Sequence, residues 1–183
     1  MVVVYLHGFR SSPSSKKGQI LKAHFDKNGG FRAPDLNVSP IEAQRIMLDT
    51  VKDLDPKNIC LVGSSLGGFY ATWLAENIGC KAVLLNPATE PWSVINDHLG
   101  VQTISNTNRT FEVRAEYAAQ VQAMAVKLSD YERYLVLLST ADEVLDWTKA
   151  QQKYRLCQQI LLPGNTHEIE NFESCVPVIK KFM

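Results

Sequence analysis

The sequence Gly63-Ser64-Ser65-Leu66-Gly67 lies between an apolar run at 58–62 and a helical run at 69–75. A Gly-x-Ser-x-Gly pattern by itself is weak evidence, but a strand before it and a helix after it are typical of a nucleophile elbow. In such an elbow the serine sits on a sharp, strained turn, and the flanking glycines avoid collisions with neighbouring backbone. The pattern therefore predicts that Ser65 is a nucleophile. The alternative is an ordinary strand-to-helix turn with a capping serine.

Outward from this stretch, short apolar runs alternate with helical patterns along the chain. This alternation predicts a mainly parallel sheet of about six strands, with helices on both of its faces. Predicted strands lie at 2–6, 31–35, 58–62, 81–86, 133–139 and 158–162, and predicted helices at 14–28, 40–53, 66–78, 143–151 and 173–182. Proline removes a ladder donor, so Pro34 predicts that the second strand lies at an edge of the sheet.

Residues 89–132 interrupt the alternation and are called the insertion below. Within the insertion, Tyr117, Val121, Met124 and Leu128 recur at the spacing of an amphipathic helix. We expect one or two helices here, forming a short helical cap. They would serve either as structural cover for an edge of the sheet or as a lid over a site.

Composition limits the classes of protein that remain. The chain has 183 residues and a formal net charge of zero, which suits a single domain spanning 1–183. It has no excess of basic residues for nucleic acid, no apolar run near the ~20 residues that span a membrane, and no basic segment typical of a signal peptide. We therefore expect a cytoplasmic protein without nucleic-acid or membrane partners. The scattered cysteines and histidines lack metal-ligand spacing, so we expect reduced thiols and no metal.

A serine nucleophile needs a base held in place by a third group. After a nucleophile elbow these partners follow in the order acid, then histidine. His167 comes after the last predicted strand, and Asp142 comes just beyond the carboxyl end of the strand at 133–139. We predict that His167 is the base and Asp142 the acid. Glu143 and Asp146 are competitors for the acid, although both stand where a helix begins and could stabilise its first turn.

The oxyanion needs two backbone donors. One is expected from Leu66, directly after the serine, and the other from Phe9 in the loop after the first strand. We reject His7 as a second base because it precedes the serine and is expected to brace this loop. Arg10 and the nearby Lys16 and Lys17 form a basic cluster, which is either helix capping with a solvated surface or a contact for a substrate anion through Arg10.

Four motifs occur together: Tyr5-Leu6-His7-Gly8-Phe9, Gly63-Ser64-Ser65-Leu66-Gly67-Gly68, Ala141-Asp142-Glu143-Val144 and Gly164-Asn165-Thr166-His167. They resemble the α/β-hydrolase superfamily, and the first two are similar to those of the small YqiA-type esterases. The resemblance implies a compact α/β-hydrolase fold that begins at the strand that normally comes third.

It also implies hydrolysis of carboxylic esters or thioesters of small to medium acyl groups, through an acyl-enzyme on Ser65 and without a cofactor. A peptidase or lactonase using the same triad, and a non-catalytic binding module, remain as alternatives. The sequence leaves the acyl length, the leaving group and the oligomeric state open.

Overall fold

A six-stranded parallel sheet forms the centre of the protein. The computed structural model describes the backbone of residues 1–183 and every side chain except that of Asn28. The strands are β1 (Val2–Leu6), β2 (Phe31–Arg32), β3 (Ile59–Ser64), β4 (Lys81–Leu85), β5 (Gly100–Thr103), β6 (Thr110–Val113), β7 (Tyr134–Ser139) and β8 (Gln158–Leu162). The helices are α1 (Lys16–Phe25), α2 (Pro40–Val51), α3 (Leu66–Ile78), α4 (Glu116–Gln122), α5 (Trp147–Lys153) and α6 (Val176–Phe182).

The strand order is β2-β1-β3-β4-β7-β8, and all neighbours are parallel. This confirms the predicted α/β architecture. The edge position predicted from Pro34 is also confirmed, because β2 pairs with β1 alone in this order and stops at Arg32.

Both faces of the sheet are buried. In β1, Val4 and Leu6 point to the side covered by α2 and α3, whereas Val3 and Tyr5 point to the side covered by α1 and α6. All residues of β3 and β7 are buried, as expected for central strands of a sheet with helices on both faces.

The helix starts have local causes. Ser15 caps α1 by accepting from the Gly18 amide, and Ser39 caps α2 by accepting from Glu42. Helix α5 begins at Trp147 and not at the predicted residue 143, because Asp146 is its cap and the preceding residues form a turn around Asp142. Among the helices that the structure describes, none is long and apolar enough to cross a bilayer.

The insertion contains the predicted helix together with an element that its sequence pattern did not indicate. Helix α4 buries Val121, and Met124 is buried just beyond its end. Strands β5 and β6 pair antiparallel as a separate two-stranded sheet. Strand β6 alternates polar and apolar residues over only four positions, with Val113 buried, whereas β5 has no apolar side and its Val101 is 71% exposed, so the pattern for a hairpin is incomplete.

Candidate active site

Ser65 lies on a sharp turn between β3 and α3. Its φ of 55° and ψ of −119° are unusual for a residue with a side chain. A Cβ on Gly63 would lie 2.2 Å from the Gly67 carbonyl oxygen, and one on Gly67 would lie 1.9 Å from the carbonyl oxygen of Leu6. The two glycines therefore permit the close backbone approach that this turn requires.

His167 and Asp142 form a hydrogen-bonded pair. The distance between His167 Nδ1 and Asp142 Oδ2 is 2.8 Å, and Asp142 Oδ1 accepts from the amides of Val144 and Leu145 at 2.9 and 2.8 Å. Burial raises the pKa of Asp142, but the bond to His167 and the two amide bonds outweigh it, so the pKa lies below its ordinary value. Asp142 therefore stays ionised at neutral pH and can stabilise a protonated imidazole ring.

The two competing acids contact other groups. Glu143 Oε2 accepts from the His167 backbone amide at 3.0 Å, so it holds the loop and not the ring. Asp146 Oδ1 accepts from the amide and the hydroxyl of Thr148 at 3.0 and 2.6 Å, as a helix cap. The ring nitrogen of His167 is thus bound by Asp142, the residue predicted as the acid.

The last residue of β4, Leu85, and the next residue, Asn86, join the serine and histidine segments. The Ser65 amide donates to the Leu85 carbonyl at 3.0 Å, and Asn86 Nδ2 donates to the His167 carbonyl at 3.0 Å. Among the described side chains, no hydrogen bond joins the Ser65 hydroxyl to the imidazole ring. Such bonds are often long in ligand-free sites and shorten when substrate binds.

Asn86 is a site residue that our sequence analysis did not identify. Besides its bond to His167, its Nδ2 donates to Ser139 Oγ at 2.9 Å, and its Oδ1 accepts from the Ser139 amide at 2.7 Å. It is buried and has a φ of 43°. The one signal in the sequence is the Asn-Pro pair directly after a strand, which favours a turn.

The two predicted oxyanion donors lie on either side of Ser65. Leu66 is the first residue of α3, where the amide has no partner within the helix. Gly8, directly before Phe9, approaches so closely that a Cβ on it would lie 3.2 Å from Ser65 Cβ. Within the described structure, neither the Phe9 amide nor the Leu66 amide donates to another protein group.

His7 braces the loop that carries Phe9. Its Nε2 accepts from the Leu36 amide at 2.9 Å, and its Nδ1 lies 2.8 Å from the Gly8 carbonyl oxygen. The ring is only 2% exposed. Both ring nitrogens are therefore occupied, in keeping with the bracing role expected of this histidine.

The basic cluster predicted near this loop makes structural contacts. Lys17, which is buried, binds Glu168 Oε2 at 2.7 Å, and Lys16 donates to the Glu170 carbonyl at 3.0 Å. Both lysines thus hold the loop that carries His167. Arg10 Nε donates to the Thr103 carbonyl in the insertion at 3.2 Å. Arg10 is not among the residues lining the cavity at Ser65, and its contact with a substrate anion stays a prediction.

A cavity of about 340 Å³ opens at Ser65. Its walls are mostly apolar and come from the loop after β1, the start of α3, the start of α5 and the insertion. The insertion contributes Phe111 and Val113 from β6, and Tyr117 and Val121 from α4. All four cysteines are free and buried, and the described residues contain no cluster of three or more His, Cys, Asp or Glu side chains suited to a metal ion.

Residues 2–183 match the sequence profile of the uncharacterised protein family UPF0227. The chain belongs to this family. A relative from Serratia proteamaculans, named UPF0227 protein, is 26% identical over 190 residues, which cover 99% of this chain and 98% of the relative.

Solved structures with the same architecture include Est1E from Butyrivibrio proteoclasticus and α/β-hydrolase domain-containing protein 10 from mouse. Est1E has a TM-score of 0.70 and 17% identity, and the match covers all of this chain and 86% of Est1E. The mouse protein has a TM-score of 0.68 and 15% identity, with 99% of this chain and 90% of the mouse chain covered. The UPF0227 chain thus has the α/β-hydrolase fold that its motifs imply.

Proposed function

We propose that this UPF0227 protein is a serine hydrolase that cleaves carboxylic esters or thioesters through an acyl-enzyme on Ser65. The observation that carries the proposal is the ionised Asp142 bound to His167, together with a serine held on a strained turn beside two unpaired amides. The fold shared with Est1E, which has also been solved with ferulic acid bound, is consistent with this chemistry.

In the first half of the reaction, Ser65 Oγ attacks the acyl carbonyl carbon while His167 Nε2 takes the hydroxyl proton. Asp142 holds the ring through Nδ1 and stabilises the imidazolium that forms. The amides of Phe9 and Leu66 bind the negative oxygen of the tetrahedral intermediate.

In the second half, the intermediate collapses and breaks the bond to the leaving group, which departs with the proton from His167 as an alcohol or thiol. A water molecule then attacks the acyl-enzyme with His167 again as the base, releasing the acid and restoring Ser65. The cavity volume of about 340 Å³ is near the lower end of ligand pockets, roughly 300–1,000 Å³, and its apolar walls suit small to medium acyl groups. In this proposal the insertion acts as the lid of that pocket.

A fluorophosphonate probe tests the proposal, because it labels serines that an adjacent base has activated. Folded wild-type protein should take up one probe on the peptide containing Ser65, whereas Ser65→Ala should take up none. Ser64→Ala is not a suitable control, because Ser64 is buried in β3 next to the elbow. Ser129→Ala, at a residue that does not line the cavity, serves instead and should label like wild type. Wild-type protein that does not label would contradict the proposal.

A further inference from the structure

Tyr70 differs from the other buried tyrosines of the protein. Its side chain is 2% exposed, and burial raises the pKa of its hydroxyl, which therefore stays protonated. The hydroxyls of Tyr5 and Tyr154 bind Ser15 and Thr72 at 3.0 and 2.9 Å, and Tyr134 donates to a carboxylate. The Tyr70 hydroxyl has no such partner among the described residues. Buried hydroxyls normally have one, so this exception needs an explanation.

The explanation lies in the cavity at Ser65. Tyr70 follows Ser65 by little more than one helical turn on α3, and it lines the cavity. The unpaired polar side-chain atoms that are completely enclosed are Gln120 Oε1 and Arg133 Nε, and the Tyr70 hydroxyl is not one of them. The hydroxyl therefore keeps some accessible surface, and because Tyr70 lines the cavity we assign that surface to the cavity.

The buried part of the cavity lining makes the Tyr70 hydroxyl a selective group. Among the buried residues that line the cavity, the other polar side chain is His7, and both of its ring nitrogens are already bound. The rest of the buried lining is apolar, including Leu36, Pro87 and Val121. A neutral phenol can donate or accept a hydrogen bond. A hydrocarbon group beside the Tyr70 hydroxyl would offer it no hydrogen-bond partner and would displace any water molecule bound to it. Both effects weaken binding.

We infer that Tyr70 determines specificity, and that the preferred substrate has an acyl group that is apolar except for one oxygen atom, which pairs with the Tyr70 hydroxyl inside the cavity. This inference rests on the proposed function, because it concerns the acyl group that Ser65 would carry. The oxygen can be a keto, hydroxyl or ether oxygen, since all three can accept the phenol proton.

The test compares para-nitrophenyl heptanoate with its analogues that carry a keto oxygen at the γ, δ or ε carbon. In wild-type protein, at least one keto ester should exceed heptanoate in kcat/KM by about tenfold to a hundredfold. Tyr70→Phe should abolish this preference by lowering kcat/KM for the keto ester to that for heptanoate. The matched control is Tyr154→Phe, which removes a buried hydroxyl outside the cavity and should keep the preference.

A wild-type preference below about twofold for every keto ester, or a preference that survives Tyr70→Phe, would overturn the inference.

The free acids separate this inference from the proposed function. The matching keto acid should raise the melting temperature of wild-type protein more than heptanoic acid does, and Tyr70→Phe should remove the difference. That readout needs no turnover. If Ser65 failed to react with any ester or probe, the proposed function would fail, while the melting temperatures would still decide whether Tyr70 recognises an oxygen atom.

Discussion

Replacing Asn86 with alanine should destabilise the protein and impair the candidate site together. The side chain supplies an acceptor to the buried Ser139 amide and a donor to the His167 carbonyl. Leaving the Ser139 amide unpaired lowers the free energy of unfolding by about 1–3 kcal/mol, and replacing the bond to the partly buried His167 carbonyl with water lowers it by about 1 kcal/mol. Alanine at a φ of 43° adds about 1 kcal/mol, because Cβ disfavours the left-handed region that asparagine tolerates.

The expected loss in the free energy of unfolding is therefore about 3–5 kcal/mol, a large part of the roughly 5–15 kcal/mol typical of a domain. Urea unfolding followed by circular dichroism measures it. Asn86→Gly is the matched variant, since it loses the same hydrogen bonds but accepts the positive φ, and it should recover about 1 kcal/mol. At a urea concentration at which Asn86→Ala is still folded, its ester turnover should also be lower than that of wild type, because the His167 carbonyl has lost the donor that holds it. A loss below about 1 kcal/mol with unchanged turnover would refute this reasoning.

Three further predictions concern the acid, its pH dependence and the histidine loop. Asp142→Asn should lower kcat for an ester by roughly 10⁴-fold, as the same change does in a serine protease triad, whereas Asp146→Asn should change kcat little. A large loss of kcat in Asp146→Asn and a small one in Asp142→Asn would show that the acid is misassigned. Because the pKa of Asp142 is lowered in the folded state, its ionised form stabilises the protein above the ordinary aspartate pKa of about 3.9, and this contribution disappears as the pH falls through the folded value. The difference in unfolding free energy between wild type and Asp142→Asn should therefore narrow below about pH 4, and a constant difference would contradict the lowered pKa. Lys17→Met keeps the buried aliphatic part of the side chain but removes the bond to Glu168. It should lower kcat with little change in KM, because it loosens the loop of His167 and Lys17 does not line the cavity. An unchanged kcat would exclude this positioning role for Lys17.

The parts of the fold that follow from local patterns could be predicted from the sequence. Apolar runs identified the six parallel strands, and one proline located an edge strand, because burial and ladder hydrogen bonding act on each segment directly. The contact between Asp142 and His167 was predictable as well, since the carboxyl ends of neighbouring parallel strands meet at one edge of the sheet.

Contacts between distant or exposed segments could not be predicted in this way. The β5–β6 hairpin was not predicted, because β6 alternates polar and apolar residues over only four positions and β5 has no apolar side. Lys17 and Glu168 are far apart in the chain, and the pattern around Lys17 resembles an ordinary solvated charge cluster. The unpaired hydroxyl of Tyr70 could not be predicted either, because the helical pattern indicates that the ring is buried but not whether its hydroxyl has a hydrogen-bond partner.

Whether Ser65 forms the acyl-enzyme is tested by comparing kcat/KM for a short para-nitrophenyl ester between wild type and Ser65→Ala. Removing the nucleophile should lower the value by several powers of ten, on the order of 10⁶ if the known behaviour of serine triads transfers. The variant should remain folded by circular dichroism. A folded Ser65→Ala protein that keeps kcat/KM within tenfold of wild type would show that Ser65 is not the nucleophile.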